Sequence, residues 1–242
     1  MPQPPHTDSP ARRATPRERA RVQTMADIVR IGRMELAQHG AAALSLRAVA
    51  RELGVVSSAL YRYIPSRDAL LTLLIEDAYA EMGAAVAEAE AAAARTDYRG
   101  RFGATARGVR DWALREPARY GLLYGSPVPG YAAPAERTTE PGTRVIRQLV
   151  AIVTEAEAAG AVTTPAAPGP LSPALRADAA AIRAELDVAV SDELLTRAVL
   201  AWVALFGAVS FEVFGQYGEE TFAAPAELFE HQVSMLASLI GL

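Results

Sequence analysis

Apolar residues recur along the chain at the three- and four-residue steps of amphipathic helices, and no stretch alternates as a strand would. Ile28, Gly32 and Leu36 fall four apart, flanked by Met25, Val29 and Ile31, so Arg17 to His39 is predicted as one long helix closed by Gly40. A glycine inside that helix costs about 1 kcal/mol relative to alanine. Its expected use is close approach to the helical pair that follows. Leu46, Val49, Ala50 and Leu53 form the apolar face of a second helix, with Ser45 placed as its N-cap and Gly54 as its terminator. A third, short helix is predicted from Ser57 to Tyr63, with Leu60 inward and Ala59 and Val56 in support. Pro65 breaks it, and Ser66 caps the next helix with Asp68 in its positive first turn.

The remaining pattern is also helical. A long helix runs from Ser66 to about Ala94, apolar in its first half and rich in Ala and Glu in its second. Tyr98 to Arg115 is followed, after a break at Pro117, by a short helix through Tyr124. Residues 126–142 carry four prolines and two glycines and are expected as a loop. Helices are predicted over Thr143–Gly160, Leu175–Val190, Ser191 to about Phe214, and Pro225 to about Ile240, with a second proline-rich loop at 161–173. The Ser191 helix is apolar nearly all round, which predicts burial on several sides. The fold class is therefore all-α, with a three-helix head at 17–65, a helical body at 66–242, and a proline-rich, flexible arm at 1–16.

Two short helices around a glycine turn make a helix-turn-helix, whose second helix can enter a DNA major groove. Ser57, Ser58, Tyr61, Arg62 and Tyr63 are free to face outward, and hydroxyls with arginines suit phosphates and base edges. The ordered strings Leu-Ala-Gln-His-Gly (36–40), Ser-Leu-Arg-Ala-Val-Ala-Arg-Glu-Leu-Gly-Val (45–55) and Ala-Leu-Tyr-Arg-Tyr-Ile-Pro-Ser-Arg-Asp-Ala-Leu-Leu (59–71) resemble the DNA-binding domain of the TetR/AcrR family of transcriptional regulators. Three positions depart from that pattern. Val56 stands where Ser or Thr is usual, Tyr63 where His is frequent, and Arg67 where Lys is common. Trp202 and Gly207, with the run Arg-Tyr-Gly-Leu-Leu-Tyr-Gly-Ser-Pro at 119–127, also resemble a C-terminal domain of one TetR branch, named for a Trp-His-Gly signature. Phe206 occupies the place of its histidine.

The resemblance implies a homodimer on double-stranded operator DNA that responds to a small-molecule effector, most simply a repressor released by an apolar ligand. Ser45 and Arg47 would anchor phosphates, Ser57, Ser58 and Arg62 would approach base edges, and Tyr61, Tyr63 and Arg67 would grip the backbone. A two-fold dimer should read a near-palindrome with half-sites about 34–36 Å apart. The ligand is expected among Phe102, Trp112, Tyr124, Trp202 and Phe206. The long helix after Ser66 would transmit ligand-driven motion to the head, and the two C-terminal helices would form the dimer interface.

Charge agrees with this division. Residues 1–67 hold 11 Arg against five Asp and Glu, a net of +6, while the remainder holds 13 Arg against 23 acids, a net of −10. A basic head before an acidic body is the footprint of a DNA-binding module. Arg12 and Arg13 in the arm could touch a minor groove. No apolar stretch follows them as in a targeting signal, and the uncharged apolar run Ala198 to Phe211 is short for a membrane span. A cytoplasmic location is expected.

The chain has no cysteine, which excludes disulfides and thiolate metal sites. Its three histidines lack ligand-spaced neighbours, and no nucleophile motif, phosphate loop or paired catalytic carboxylates occur. No catalytic residue, metal or cofactor is assigned. The competing readings are a helical carrier or enzyme for an apolar molecule and a dimerisation module without DNA function.

Overall fold

The computed structural model describes residues 15–163, 169–218 and 220–242, so the arm and its Arg12 and Arg13 lie outside the described residues, apart from Thr15 and Pro16. The described residues form helices and connections and no strand. Helix α1 spans Pro16–His39, α2 Leu46–Glu52, α3 Ser57–Leu60 and α4 Arg67–Ala91. Helices α5 (Tyr98–Arg115), α6 (Pro117–Tyr124), α7 (Ala135–Gly142) and α8 (Arg144–Ala158) follow, then α9 (Pro173–Leu186), α10 (Asp192–Val213) and α11 (Pro225–Ile240).

Local chemistry sets most of the boundaries. Thr15 and Glu18 close a reciprocal capping box on α1. Ser66 Oγ accepts from Ala69 N–H at 3.1 Å, and Ser191 Oγ from Leu194 N–H at 3.4 Å. Ser45 sits at the N-cap of α2 but its side chain makes no capping bond, so its hydroxyl is left for another partner. The region expected as a loop at 126–142 contains α7 instead. Packing against α4 overrides the proline-rich composition: Arg137 reaches Glu76 through two bonds of 2.6 Å, and Pro141 falls in the last turn.

Two cores result. One gathers Ile28 and Ile31 of α1, Leu46, Val49 and Ala50 of α2, Leu60 of α3, Ile64, and Leu70, Leu71 and Leu74 of α4. The other joins Met82 and Val86 of α4 to Phe102, Val109 and Trp112 of α5, Tyr120 of α6, Leu149 and Val153 of α8, and the inner faces of α10 and α11. Helix α4 thus belongs to both, and the expected division at 65/66 falls at its cap. Gly32 makes a close approach, but to α4 rather than to the α2–α3 pair. A Cβ there would meet a Leu74 methyl at 3.1 Å. Gly108 serves the same end at the α4–α5 crossing, where a Cβ would lie 3.0 Å from the Val86 Cα.

An ion network ties the two cores. Arg33 of α1 grips Asp77 of α4 through two bonds of 2.7 and 2.8 Å and reaches Glu81 at 2.8 Å. Arg119 of α6, 2 % exposed, meets the same two carboxylates at 2.9 and 2.8 Å, and Glu116 at 3.4 Å. The indole of Trp112 donates to Glu81 at 3.3 Å and lies under the Arg119 guanidinium, 5.4 Å from the ring centre. Burial alone would push the Glu81 carboxyl up, but Arg119, then Arg33 and Trp112, hold it below its ordinary value. A second cluster at the far end of α4 joins buried Arg101 to Glu90 and Glu155, and Arg101 holds Glu155 down likewise.

Removing Arg119 as Arg119→Met should cost about 3 kcal/mol or more in urea unfolding, because two carboxylates then lose their buried partner. Both Glu81 and Glu155 bind protons less tightly folded than unfolded, so their stabilisation is complete above about pH 4.5 and lost as pH falls through their lower folded values. Thermal melts from pH 6 to pH 3 should fall below pH 4.5, and less steeply in Glu81→Gln/Glu155→Gln.

Candidate nucleic-acid interface and effector cavities

The turn between α2 and α3 is fixed by backbone bonds. Gly54 takes φ +72°, its N–H bonds the Arg51 carbonyl at 3.1 Å, and the Val55 N–H bonds the Ala50 carbonyl at 3.0 Å. This pair is a Schellman closure, and the left-handed backbone explains the glycine. Helix α3 is regular only over Ser57–Leu60, shorter than the expected Ser57–Tyr63, but Tyr61, Arg62, Tyr63 and Ile64 continue as turns bonded back to Ser57, Ala59 and Leu60. Leu60 and Ile64 anchor this segment in the core. The opposite side faces outward, with Arg47, Ser58 and Arg62 exposed, Ser57 half-buried and Tyr61 47 % exposed.

Among the described residues, Arg47 and Arg62 make no ion pair, so both guanidiniums keep all five donors. Ser45, Arg47, Tyr61 and Arg67 line one trough of about 500 Å³ with Leu44, Leu46, Pro65 and Ser66. Four of the eight expected DNA contacts therefore converge, and Ser57, Ser58 and Arg62 lie on the adjoining edge of α3 and its turn. Tyr63 is half-buried and packs its ring on the head core.

Arg67, expected to grip the DNA backbone, also makes bonds within the head. Its Nη2 donates to the carbonyls of Ala41 (2.8 Å) and Ala42 (3.1 Å), and its Nε to that of Leu44 (3.2 Å). It fastens the α1–α2 connection to the start of α4, a fork that a lysine could not reproduce. Arg67 is a positioning residue for Ser45 and Arg47 in this geometry. Sequence spacing could not show that, because its acceptors are backbone carbonyls more than 20 residues away.

The five aromatics expected around a ligand divide. Phe102 and Trp112 are fully buried core residues of α5. Tyr124 and Phe206 meet with tilted rings at 4.8 Å and Trp202 lies edge-on 6.0 Å from Phe206, so these three cluster. Phe206 holds the place expected for a histidine by ring contact, and its carbonyl accepts from the Tyr120 hydroxyl at 3.3 Å. None of the five lines a cavity described below. Large rings fill space rather than enclose it.

One cavity of about 270 Å³ lies between α4, α6 and the 125–138 segment, walled by Ile75, Tyr79, Leu122, Leu123, Val128 and Tyr131. Leu122, Val128 and Tyr131 also pack on the head core, and the Tyr131 hydroxyl bonds Thr72 at 2.9 Å. Tyr79 touches Tyr124 edge-on at 6.3 Å. Burial pushes the hydroxyl of Tyr79 in this wall up, and those of Tyr120 and Tyr124 behind it likewise. A hollow of about 370 Å³ opens at Ala204, Gly207, Ala208 and Phe211 of α10 against Gln232, Met235 and Leu236 of α11, and a groove of about 860 Å³ adjoins it beside Leu175 and Leu200. Helix α10 is buried on several sides as expected, but one stripe of it is not covered. Leu200, Val203 and Phe211 are exposed in the single chain. This helix is long and apolar enough to cross a membrane by length and composition alone, and it packs here against α5, α8, α9 and α11.

A helix-turn-helix with a cationic outer face, set on an all-helical body, defines a DNA-binding transcriptional regulator. Residues 28–74 match the description of bacterial regulatory proteins of the tetR family, and residues 102–236 that of a tetracyclin repressor-like C-terminal domain. The chain belongs to the TetR family. It is 44 % identical over 227 residues to an HTH-type transcriptional regulator of Mycobacterium tuberculosis, covering 93 % of this chain and 95 % of that protein. A crystal structure of the regulatory protein SCO4313 superposes with a TM-score of 0.73 at 36 % identity, covering 93 % of this chain and 100 % of that one. The fold is also that of a regulator from Bacillus subtilis solved with stearoyl-CoA, with a TM-score of 0.58 at 13 % identity over 86 % of this chain and 97 % of that one.

Arg67→Lys should lower stability by about 1–2 kcal/mol through lost carbonyl bonds, read in urea unfolding, with the head losing amide-exchange protection first at Ala43 and Leu44.

Proposed function

We propose that this regulator is a homodimeric repressor that holds a near-palindromic operator and leaves it when a small, largely apolar molecule binds. The observation that carries the DNA reading is the cationic α2–α3 face, where Arg47 and Arg62 have no internal partner beside an exposed Tyr61. Ser45 and Arg47 take phosphates at the trough, Ser57, Ser58 and Arg62 approach base edges, and the hydroxyls of Tyr61 and Tyr63 reach the backbone. Phosphate contacts set register, and base contacts carry the sequence information. The head, the body and the connecting α4 are the working division, with the site of action in the cytoplasm.

For the effector we favour the 270 Å³ cavity over the aromatic cluster. It lies against α4 and the end of α6, and it shares Leu122, Val128 and Tyr131 with the head core. A ligand that forces these side chains outward shifts the head on the body, which favours the DNA-incompetent arrangement by its difference in affinity for the two. The exposed apolar stripe of α10 and α11, with its hollow at Gly207, supports the dimer. A patch of Leu200, Val203, Phe211 and Met235 is the kind that a second copy covers.

Fluorescence anisotropy on DNA from the protein's own upstream region, or on DNA enriched from random duplexes, tests the reading. Saturable binding that exceeds scrambled DNA and weakens steeply with salt is expected. Tyr61→Ala and Arg62→Ala should each weaken operator binding at least tenfold without lowering the melting temperature. A carrier or a DNA-free dimerisation module predicts no such binding. Val203→Arg should convert a dimer to a monomer in analytical ultracentrifugation.

A further inference from the structure

We infer that Val56 is a specificity-determining residue that reads the C5-methyl group of a thymine in the major groove. The inference rests on the DNA-binding reading above and deepens it.

Val56 is 70 % exposed, the most exposed of the large apolar side chains among the described residues. It occupies the N-cap of α3, with φ −68° and ψ 145°, immediately before Ser57. That position favours Ser, Thr, Asp or Asn, whose oxygen would bond a free N–H of the helix. Val56 makes no such bond, so the chain forgoes a cap and also leaves an apolar group in water. Val56 does not support Leu60 on the apolar side as expected: it belongs to neither core, and Leu60 and Ile64 anchor the segment.

The first residues of a recognition helix are those that meet base edges. The neighbours of Val56 on this lip are polar: Ser57, Ser58 and Arg62 can use the donors and acceptors of the groove. A valine can use none of these. The apolar feature on a major-groove edge is the thymine methyl, so an isopropyl group held there distinguishes thymine from cytosine by contact rather than by hydrogen bonding. Val55, 38 % exposed and tied through its N–H to Ala50, backs Val56 and fixes the lip.

The test begins with the preferred duplex selected from random sequence by the full-length protein. Each thymine is then replaced singly by deoxyuridine, which deletes the methyl and keeps the pairing and the O4 acceptor. One thymine per half-site should prove sensitive, with binding weakened about fourfold, the value of one buried methyl. In Val56→Ser and Val56→Ala that penalty should vanish, while the effects of changing other base pairs persist. Serine restores a capping oxygen, so its variant should melt no lower than the parent. A selected site with no methyl-sensitive thymine overturns the inference, as does a penalty that survives in both variants. If the selection enriches no sequence at all, the DNA-binding reading fails and this inference falls with it, an outcome distinct from tight binding with an unchanged penalty.

Discussion

Two carboxylates one turn apart on α4 hold this molecule together. Asp77 and Glu81 receive Arg33 from the head side and the buried Arg119 from the body side. A guanidinium as buried as that of Arg119 would cost several kcal/mol if left unpaired, so α6 is obliged to keep its register on α4. Arg33 imposes the same on α1. The head and the body are thus fastened to the same two side chains, and neither can move on α4 without disturbing the other's ion pairs. Trp112, stacked on Arg119 and bonded to Glu81, extends the constraint into the body core.

That arrangement gives the cavity beside Tyr79 its position. It lies along the same stretch of α4, between Ile75 and Tyr79, and its other wall is the end of α6 with the segment that follows. A side chain displaced there acts on residues that already belong to the head core. The aromatic cluster of Tyr124, Phe206 and Trp202 joins α6 to α10, and Tyr124 touches Tyr79 of the cavity wall. On the DNA side, Arg67 plays an analogous part. By holding three carbonyls of the α1–α2 connection it sets where Ser45 and Arg47 present themselves.

The elements most legible in the sequence were those specified by local chemistry. The helix-turn-helix followed from the spacing of Leu46, Val49 and Ala50, from Gly54, and from Pro65 with the Ser66 cap. The outward placement of Arg47, Ser58, Tyr61 and Arg62 followed from the same period, since knowing the buried face fixes the exposed one. Less legible was α7, where proline content suggested a loop and the Arg137–Glu76 pair decided for a helix. The five aromatics expected around a ligand line none of these cavities for a related reason: aromatic residues concentrate where packing is dense, and a cavity arises where elements fail to meet.

By itself the sequence determined the all-helical class, the order and caps of most helices, the basic head and its outward face, because each depends on residues within a few positions of one another. Only the tertiary structure decided that Gly32 accommodates α4, that Arg67 is an internal clasp, and that Arg33 and Arg119 share two acids. It also decided that α10 keeps an apolar stripe outward. Those outcomes depend on which surfaces meet across separations of 20 to more than 80 residues, and helical periodicity is silent about the choice of partner.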